Sequence, residues 1–242
     1  MRTLILLDLK IDKDEALAMC DEYAEFYENN TGIKCVWLVE RRDFSVVPTL
    51  PDATGDLRPT DKFRKDLETE VHSRYRDYGV DNIVMWVHED NFVFKGLWGV
   101  AWAYSFFKYS LLLCRWDKDN STNTFNTFFH ELEHPSDTLI KKELGININP
   151  LIANHFGVST FNYDRGYVHG ESDLFTYIGR RGYKRDGRMQ QFLAPYLTRA
   201  YKVRKEKHEK DIGLMKQVVF LLTKLVGLLQ LAVDKKNRAA KK

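Results

Sequence analysis

Residues 120–134 carry side chains that can bind a metal ion and support hydrolysis. They contain an H-E-x-x-H match, His130-Glu131-Leu132-Glu133-His134. Residues four apart on a helix point the same way, one turn apart, so the two imidazoles can bind one zinc ion. Glu131, next to the first histidine, is then placed to take a proton from an attacking water and pass it to a leaving amine. The motif therefore predicts a zinc hydrolase with Glu131 as general base.

The sequence around the motif favours the helix that such a site needs. Four apolar residues recur at positions i, i+3, i+4 and i+7, which predicts one buried face packed under a sheet. These residues are Phe125, Phe128, Phe129 and Leu132. Thr127, His130, Glu131 and His134 then lie on the opposite side.

Polar and special residues mark the expected ends of this helix. Asn120 to Thr122 are good N-cap residues. Pro135 is expected to end the helix or nearly so, because proline cannot donate an intrahelical hydrogen bond. Ser136 and Asp137 then cap a second helix that runs to Leu144 and stops at Gly145.

The chain before the motif alternates strand and helix signals. Apolar runs rich in β-forming residues predict strands, and helical spacing of apolar residues predicts helices. The predicted strands are 2–9, 34–39, 83–87, 92–104 and 110–116, and the predicted helices are 14–28 and 61–78. The strand at 34–39 is expected to be buried, and a loop is expected between it and the second helix. This order predicts a mixed sheet, largely parallel with an antiparallel edge, with helices packed on it.

With this arrangement, residues 1–145 resemble the zincin metallopeptidases. The resemblance implies an α+β fold with a zincin-like mixed sheet, an active-site helix and a small helical C-terminal subdomain, followed here by a long C-terminal helix. In zincins the edge strand pairs with an extended peptide substrate. Residues 96–104 occupy the matching place, so the resemblance implies that Gly99, Val100 and Ala101 bind the substrate main chain.

A zinc peptidase needs a third protein ligand and an open position for water. The metzincin extension of the motif fails, because Asp137 stands where its glycine would be and Ile140 where its histidine would be. Residues 168–175 (VHGESDLF) are more similar to the ligand segment of thermolysin-like gluzincins, which ends in Ser-Asp-aliphatic-Phe. The alignment puts His169 in place of the ligand glutamate.

Asp173 follows His169 by four residues, so the two share a helix face. The aspartate can then accept a hydrogen bond from a ligand imidazole and orient it. Other residues could be the third ligand instead of His169, and a site without a third protein ligand also stays open. The alternatives are Glu171, His155, Glu143 and Asp164.

The last quarter of the chain differs in charge from the rest. The net charge of +3 combines 19 Lys/Arg against 29 Asp/Glu in residues 1–177 with 18 against 5 in residues 178–242. A long helix is expected from residue 190, with a broad apolar face at 214–233. Lys224 interrupts that run, whose about 16 apolar residues fall short of the about 20 that a transmembrane helix needs.

The tail is therefore expected to pack on its own domain or to form a coiled-coil seam. Self-association or contact with a membrane surface through residues 214–233 stays open, and no specific nucleic-acid partner is predicted. The chain divides into a zincin-like subdomain (1–145), a subdomain with the third ligand (146–189) and a basic helical tail (190–242).

Composition limits the class of protein. With 44% hydrophobic and 29% charged residues, the chain is typical of a soluble globular protein, not of a disordered, collagen-like or disulfide-stapled one. Its three cysteines include no C-x-x-C pair, which indicates buried thiols in a reducing compartment. The first apolar run breaks at Asp8, which is not typical of a signal peptide. We expect a cytoplasmic protein.

Together these features predict a zinc-dependent endopeptidase that acts on a peptide or protein substrate. Zn²⁺ is the expected cofactor, held by His130, His134 and His169. The alternative is a non-catalytic binding or assembly protein with a structural or vestigial metal site and an oligomerising C-terminal helix. Glu131 favours the peptidase, because a purely structural site has no use for a base at that position.

Overall fold

The computed structural model of the chain describes residues 1–51, 55, 57–94, 99–102, 109–156 and 187–239. Within these ranges it contains seven strands and five longer helices. The strands are β1 (Arg2–Asp8), β2 (Val36–Arg42), β3 (Thr49–Pro51), β4 (Leu57–Pro59), β5 (Asn82–His88), β6 (Gly99–Trp102) and β7 (Ser110–Trp116). The helices are α1 (Lys13–Thr31), α2 (Asp61–Tyr75), α3 (Ser121–Leu144), α4 (Asn149–Phe156) and α5 (Arg188–Ala239).

Five strands form one mixed sheet in the order β2-β1-β5-β7-β6. The first four are parallel, and β6 runs antiparallel to β7, with Gly99 opposite Cys114. The predicted mixed fold, with a largely parallel sheet and an antiparallel edge, is confirmed. The helix α1 between β1 and β2 and the helix α2 between β2 and β5 supply the crossovers that these parallel connections need.

Helices cover both faces of this sheet. Side chains alternate along each strand, so in β1 Ile5 and Leu7 join one apolar core while Leu4 and Leu6 join the other. The first core is formed with α1, α3, α4 and the start of α5, and the second with α2. Burial on both faces explains why the central strands are almost continuously apolar in sequence.

Two predictions in the N-terminal region need correction. The strand predicted as buried at residues 34–39 is the exposed-to-half-buried β2, because it lies at the edge of the sheet with β1 on one side. The loop expected between β2 and α2 contains a small antiparallel hairpin, β3 with β4. Two prolines, Pro51 and Pro59, stand at strand ends of this hairpin, which is compatible with their lack of an N–H group.

The expectation that Pro135 ends the motif helix is wrong. α3 runs through Pro135 without a break and ends at Gly145, whose φ is 70°. Pro135 cannot donate to the carbonyl of Glu131, four residues earlier, which ordinarily destabilises a helix. The helix continues because the apolar stripe does, with Leu139 and Ile140 buried in the first core. Packing outweighs the lost hydrogen bond.

The C-terminal helix α5 belongs to two compact units, Met1–Tyr201 and Lys202–Lys242. Its first turns complete the first core with buried Met189, Leu193, Leu197 and Ala200. This unit boundary therefore falls later than the domain boundary predicted at residue 190. Of the predicted subdomain 146–189, α4 is described, whereas residues 157–186 lie outside the described ranges. Among the described helices, none combines the length and apolarity required to cross a bilayer.

Candidate metal centre

The start of α3 is tied to the end of β7 by one threonine. The Asp117 N–H donates to Oγ1 of Thr124 at 2.9 Å, and the Thr124 hydroxyl donates to the Asp117 carbonyl at 2.9 Å. The Asp117 carboxylate also accepts from the N–H of Asn120 at 3.1 Å. Asn120 occupies the N-cap position but makes no side-chain cap hydrogen bond. The helix start is therefore anchored by Asp117 and Thr124 instead of by the side chain of Asn120.

Aromatic packing determines which face of α3 meets the sheet. The ring of Phe128 stacks on Trp86 of β5, with centroids 4.4 Å apart and an interplanar angle of 10°. Phe129 meets the edge of Tyr23 on α1, with centroids 4.8 Å apart. All four residues of the predicted apolar stripe are buried. With this face fixed, the motif residues project away from the first core.

The two motif histidines converge as their spacing predicts. Their Nε2 atoms are 3.2 Å apart, and their rings are nearly perpendicular at 86°. A zinc ion bound tetrahedrally at the usual zinc–nitrogen length requires two ligand nitrogens about 3.3 Å apart. The separation between His130 and His134 therefore fits two ligands of one zinc ion without rearrangement of the helix.

Glu131 completes a group of three potential metal ligands. Its carboxylate oxygen Oε2 lies 3.8 Å from Nε2 of His134, and one donor atom from each of the three residues falls within 4.8 Å of the others. Glu131 is only 5% exposed. A general base for a metal-assisted hydrolysis needs a carboxylate close to the metal ligands, and Glu131 lies that close to the two imidazoles.

The Glu131 carboxyl is buried, and among the described residues the basic group that pairs with it is the His134 imidazole, 3.8 Å away and charged only when protonated. Burial raises the pKa of its carboxyl to about 8. Oε2 is buried, and no described residue hydrogen-bonds to it. An unsatisfied buried carboxylate oxygen is costly, whereas a cation close by would favour the ionised form and lower the pKa. The donor set and this unsatisfied oxygen therefore both fit a divalent cation.

The edge strand β6 lies directly over the acidic member of the group. A Cβ atom built on Gly99 would come within 2.6 Å of Oε1 of Glu131 and 2.7 Å of Cγ2 of Thr127. Only the absence of a side chain allows this approach. Gly99, Val100 and Ala101, predicted to bind substrate, are therefore in the strand next to the predicted base, and the described part of the chain pairs that strand with β7 alone.

The predicted third ligand falls outside the described ranges. This applies to His169 and its partner Asp173, and to the alternatives Glu171 and Asp164. The other two alternatives, His155 and Glu143, are described, and neither belongs to the group formed by the motif residues. His155 instead stacks on Phe192 of α5 with ring centroids 4.6 Å apart. The described structure therefore does not bring these two residues together with the motif group.

Sequence reasoning missed the positioning roles of Thr124 and Asp117. A signal was present, because Asp117 directly follows a buried strand and Thr124 lies in the first turn of the next helix. The contact of Gly99 with Glu131 had only the weak signal of a glycine among aromatic residues. Its meaning depends on how close the strand and helix lie in the folded chain, which no local pattern encodes.

No protein-family model matches this chain, and no curated protein matches its sequence at a significant level.

Proposed function

We propose that the protein is a zincin-type zinc metallopeptidase that hydrolyses internal peptide bonds. The observation that carries the proposal is the geometry on α3, where two Nε2 atoms lie 3.2 Å apart beside a buried carboxylate. Two imidazoles spaced for one zinc ion also occur in structural sites. A carboxylate next to them, with an oxygen that no described residue satisfies, supports a catalytic site.

His130 and His134 would hold the ion, with His169 proposed as the third ligand. A bound zinc ion supplies a Lewis acid that polarises the scissile carbonyl and acidifies the attacking water. Glu131 accepts the proton from that water and then donates it to the leaving amine. Because Glu131 is buried, bulk water does not compete for the carboxylate.

Strand β6 provides a place for the substrate main chain. Its four residues pair with β7 on one side, and the described ranges contain no strand on the other. An extended peptide can add to such an edge through main-chain hydrogen bonds, which are indifferent to side-chain identity. Residues 99–101 would then align the scissile bond with Glu131. The substrate class is thus an extended segment of a peptide or protein.

The state of the cysteines is compatible with a reducing compartment, and we propose that the protein acts in the cytoplasm. Cys20 and Cys114 are buried, and Cys35 is partly buried; none of the three forms a disulfide. Burial raises the pKa of the Cys20 and Cys114 thiols, which makes them unreactive toward oxidation.

Substitution of Glu131 by glutamine tests the proposal. The variant keeps the shape of the side chain but cannot act as a base, so zinc content should stay near one per chain while cleavage of a peptide library falls by about 10² to 10⁴. Glu68 is the matched control, since it is a fully buried glutamate on α2, the helix that packs on the other face of the sheet. Glu68→Gln makes the same isosteric change and should retain both zinc and activity.

Two outcomes would contradict the proposal that the protein is a peptidase. Equal cleavage by wild type and Glu131→Gln would remove Glu131 as the base. Stoichiometric zinc with no hydrolysis of any peptide in the library would support the alternative, a non-catalytic binding or assembly protein with a structural metal site.

A further inference from the structure

The second compact unit presents a long apolar surface on a single helix. We call residues 202–239 of α5 the distal helix. Nine large apolar residues of this helix are exposed by 42% to 65%. They are Leu214, Met215, Val218, Val219, Phe220, Leu221, Leu222, Leu225 and Val226. Exposed contiguous apolar surfaces of this kind mark interaction sites.

Eight of these residues form two adjacent rows along one side of the helix. Each row has alternating spacings of four and three residues, which keep its members on one face. The rows are Leu214, Val218, Leu221 and Leu225, and beside them Met215, Val219, Leu222 and Val226. We call these eight residues the apolar face; at 3.6 residues per turn it spans about half of the circumference.

The polar groups on the other side of the helix are compatible with contact between the apolar face and an apolar layer. Lys216 and Lys224 lie opposite the apolar face by helical geometry. The Lys224 ammonium lies over the ring of Phe220, 4.8 Å from its centroid. The hydroxyl of Thr223 donates to the carbonyl of Val219 at 2.9 Å, so it needs no other partner. The long lysine side chains can reach away from an apolar layer while their stems lie along it.

The charge of the distal helix distinguishes between two binding partners for its apolar face, a second copy of the chain and an anionic surface. The unit Lys202–Lys242 contains 12 Lys/Arg and 4 Asp/Glu, and residues 212–233 contain no acidic residue. In two copies paired through this face, no carboxylate of residues 212–233 would be available to complement Lys216 and Lys224, whereas coiled coils use complementary flanking charges. A surface that carries many negative charges is complementary to both the lysines and the apolar face.

We propose that the distal helix binds in the plane of an anionic lipid bilayer. The apolar face would enter the boundary between headgroups and acyl chains, and the basic residues before and after it would contact anionic headgroups. The orientation is in-plane because no described helix is suited to cross a bilayer. The proposed site on α3 would thereby act on substrates at a membrane surface.

Vesicle binding by the full-length protein tests this inference without any use of hydrolysis. Flotation is measured with vesicles of phosphatidylcholine alone and with vesicles that contain about one-third phosphatidylglycerol. The protein should bind the anionic vesicles at least about tenfold more tightly, and added salt should weaken that binding. Anionic vesicles should also slow tryptic cleavage after Lys216 and Lys224.

Two variants locate the contact. Leu221→Gln with Leu225→Gln removes two residues from the centre of the apolar face and should weaken binding to anionic vesicles by about tenfold or more. Thr223→Gln introduces the same residue on the other side and should bind within about twofold of wild type. Circular dichroism checks that both variants keep their helix content. If a variant loses it, the test rests on wild type alone, through its preference for anionic vesicles and its protection from trypsin.

Three results would overturn the proposal. The first is equal or absent binding of wild type to the two kinds of vesicle. The second is undiminished anionic binding by the folded double variant. The third is a wild-type dimer in lipid-free sedimentation that dissociates in the double variant while vesicles bind neither protein, since this would identify a second copy as the occupant.

Discussion

Gly99 on β6 and Glu131 on α3 meet across the sheet edge with no space for a side chain between them. A Cβ on Gly99 would lie 2.6 Å from Oε1 and 2.7 Å from Cγ of Glu131. Atoms at these separations overlap, so any residue other than glycine must displace the strand or the carboxylate. The position of the proposed base therefore depends on a glycine that is 32 residues away in sequence.

The first prediction is that Gly99→Ala harms both stability and activity. The added methyl group overpacks the contact and should lower the free energy of unfolding by about 1–3 kcal/mol. It should also shift the Glu131 carboxylate and reduce kcat of peptide cleavage, while zinc content stays unchanged. Denaturant unfolding, elemental analysis and cleavage kinetics measure the three quantities.

Two further variants separate crowding from a general effect of the substitution. Gly213→Ala, where a Cβ would meet nothing within 4 Å, should be neutral or stabilising because alanine favours a helix. Gly99→Ala with Thr127→Ser removes the Thr127 methyl group from the crowded contact and should restore part of the stability. Equal stability of Gly99→Ala and wild type would disprove the close contact.

The second prediction concerns metal content. The protein should purify with about one zinc per chain, and its melting temperature should fall on chelation and recover when zinc is restored. His130→Ala and His134→Ala should each abolish this response. His208→Ala replaces a histidine in the other compact unit and should bind zinc as wild type does. Wild-type protein with no zinc and no thermal response would refute the metal site.

The third prediction identifies the third ligand. His169→Ala should lower zinc affinity by about a hundredfold or more, and Asp173→Asn by about 10- to 100-fold, since the latter only orients a ligand. Glu171→Gln is the matched control in the same segment and should leave zinc affinity unchanged. Competition against a coloured chelator measures all three affinities. A loss confined to Glu171→Gln would transfer the ligand role to that residue.

Much of the fold could be predicted because its signals are local. β7 begins and ends as predicted, and the apolar stripe from Phe125 to Leu132 is buried as its spacing indicates. The convergence of His130 and His134 follows from helical spacing alone. Such features need only the period of a helix or strand and the identity of neighbouring residues.

The remaining features depend on tertiary packing. Pro135 is a helix breaker by propensity, but buried residues after it keep α3 continuous. The apolar segment in β2 is typical of a central strand, whereas its place at the sheet edge is set by the strand order. The start of α5 has the charge of a solvated tail, and only its buried contacts show that it belongs to the first core.

The fourth prediction is a pH dependence of stability that involves Glu70. Its pKa lies below the ordinary value of 4.5, chiefly because the Arg42 guanidinium hydrogen-bonds to it, with a further contribution from Arg74. A lowered folded-state pKa gives stability that is present above 4.5 and lost as the pH falls through the folded-state value. The Glu70 side chain is 39% exposed, so the contribution should not exceed about 1 kcal/mol.

Glu70→Gln should therefore be less stable than wild type at neutral pH, and the difference should shrink as the pH falls below 4.5. Asp66→Asn breaks the exposed pair with Lys62 and serves as the control with little effect at any pH. Urea unfolding across the pH range measures both. A pH-independent difference would show that Glu70 acts through packing instead of charge.

The fifth prediction places the start of α5 in the core. Leu197→Ala removes a fully buried side chain and should cost about 2–5 kcal/mol of unfolding free energy. Leu221→Ala makes the same change at a residue that is 63% exposed and should change stability by less than about 0.5 kcal/mol. Similar costs for the two variants would contradict the burial of the first turns of α5.

The packing of α5 against α1 also has a consequence for biosynthesis. Gln191 donates to the side-chain carbonyl of Asn30 at 2.9 Å, and Leu193 shares a core with Tyr27. These partners are separated by more than 160 residues, so a ribosome has made all five strands of the sheet and the whole of α3 before the α5 partners of α1 emerge. Until then the aromatic side chains of α1 and α3 lack part of their cover. The first core is therefore complete only after the first turns of α5 have been synthesised, and the nascent chain exposes part of its apolar surface until then.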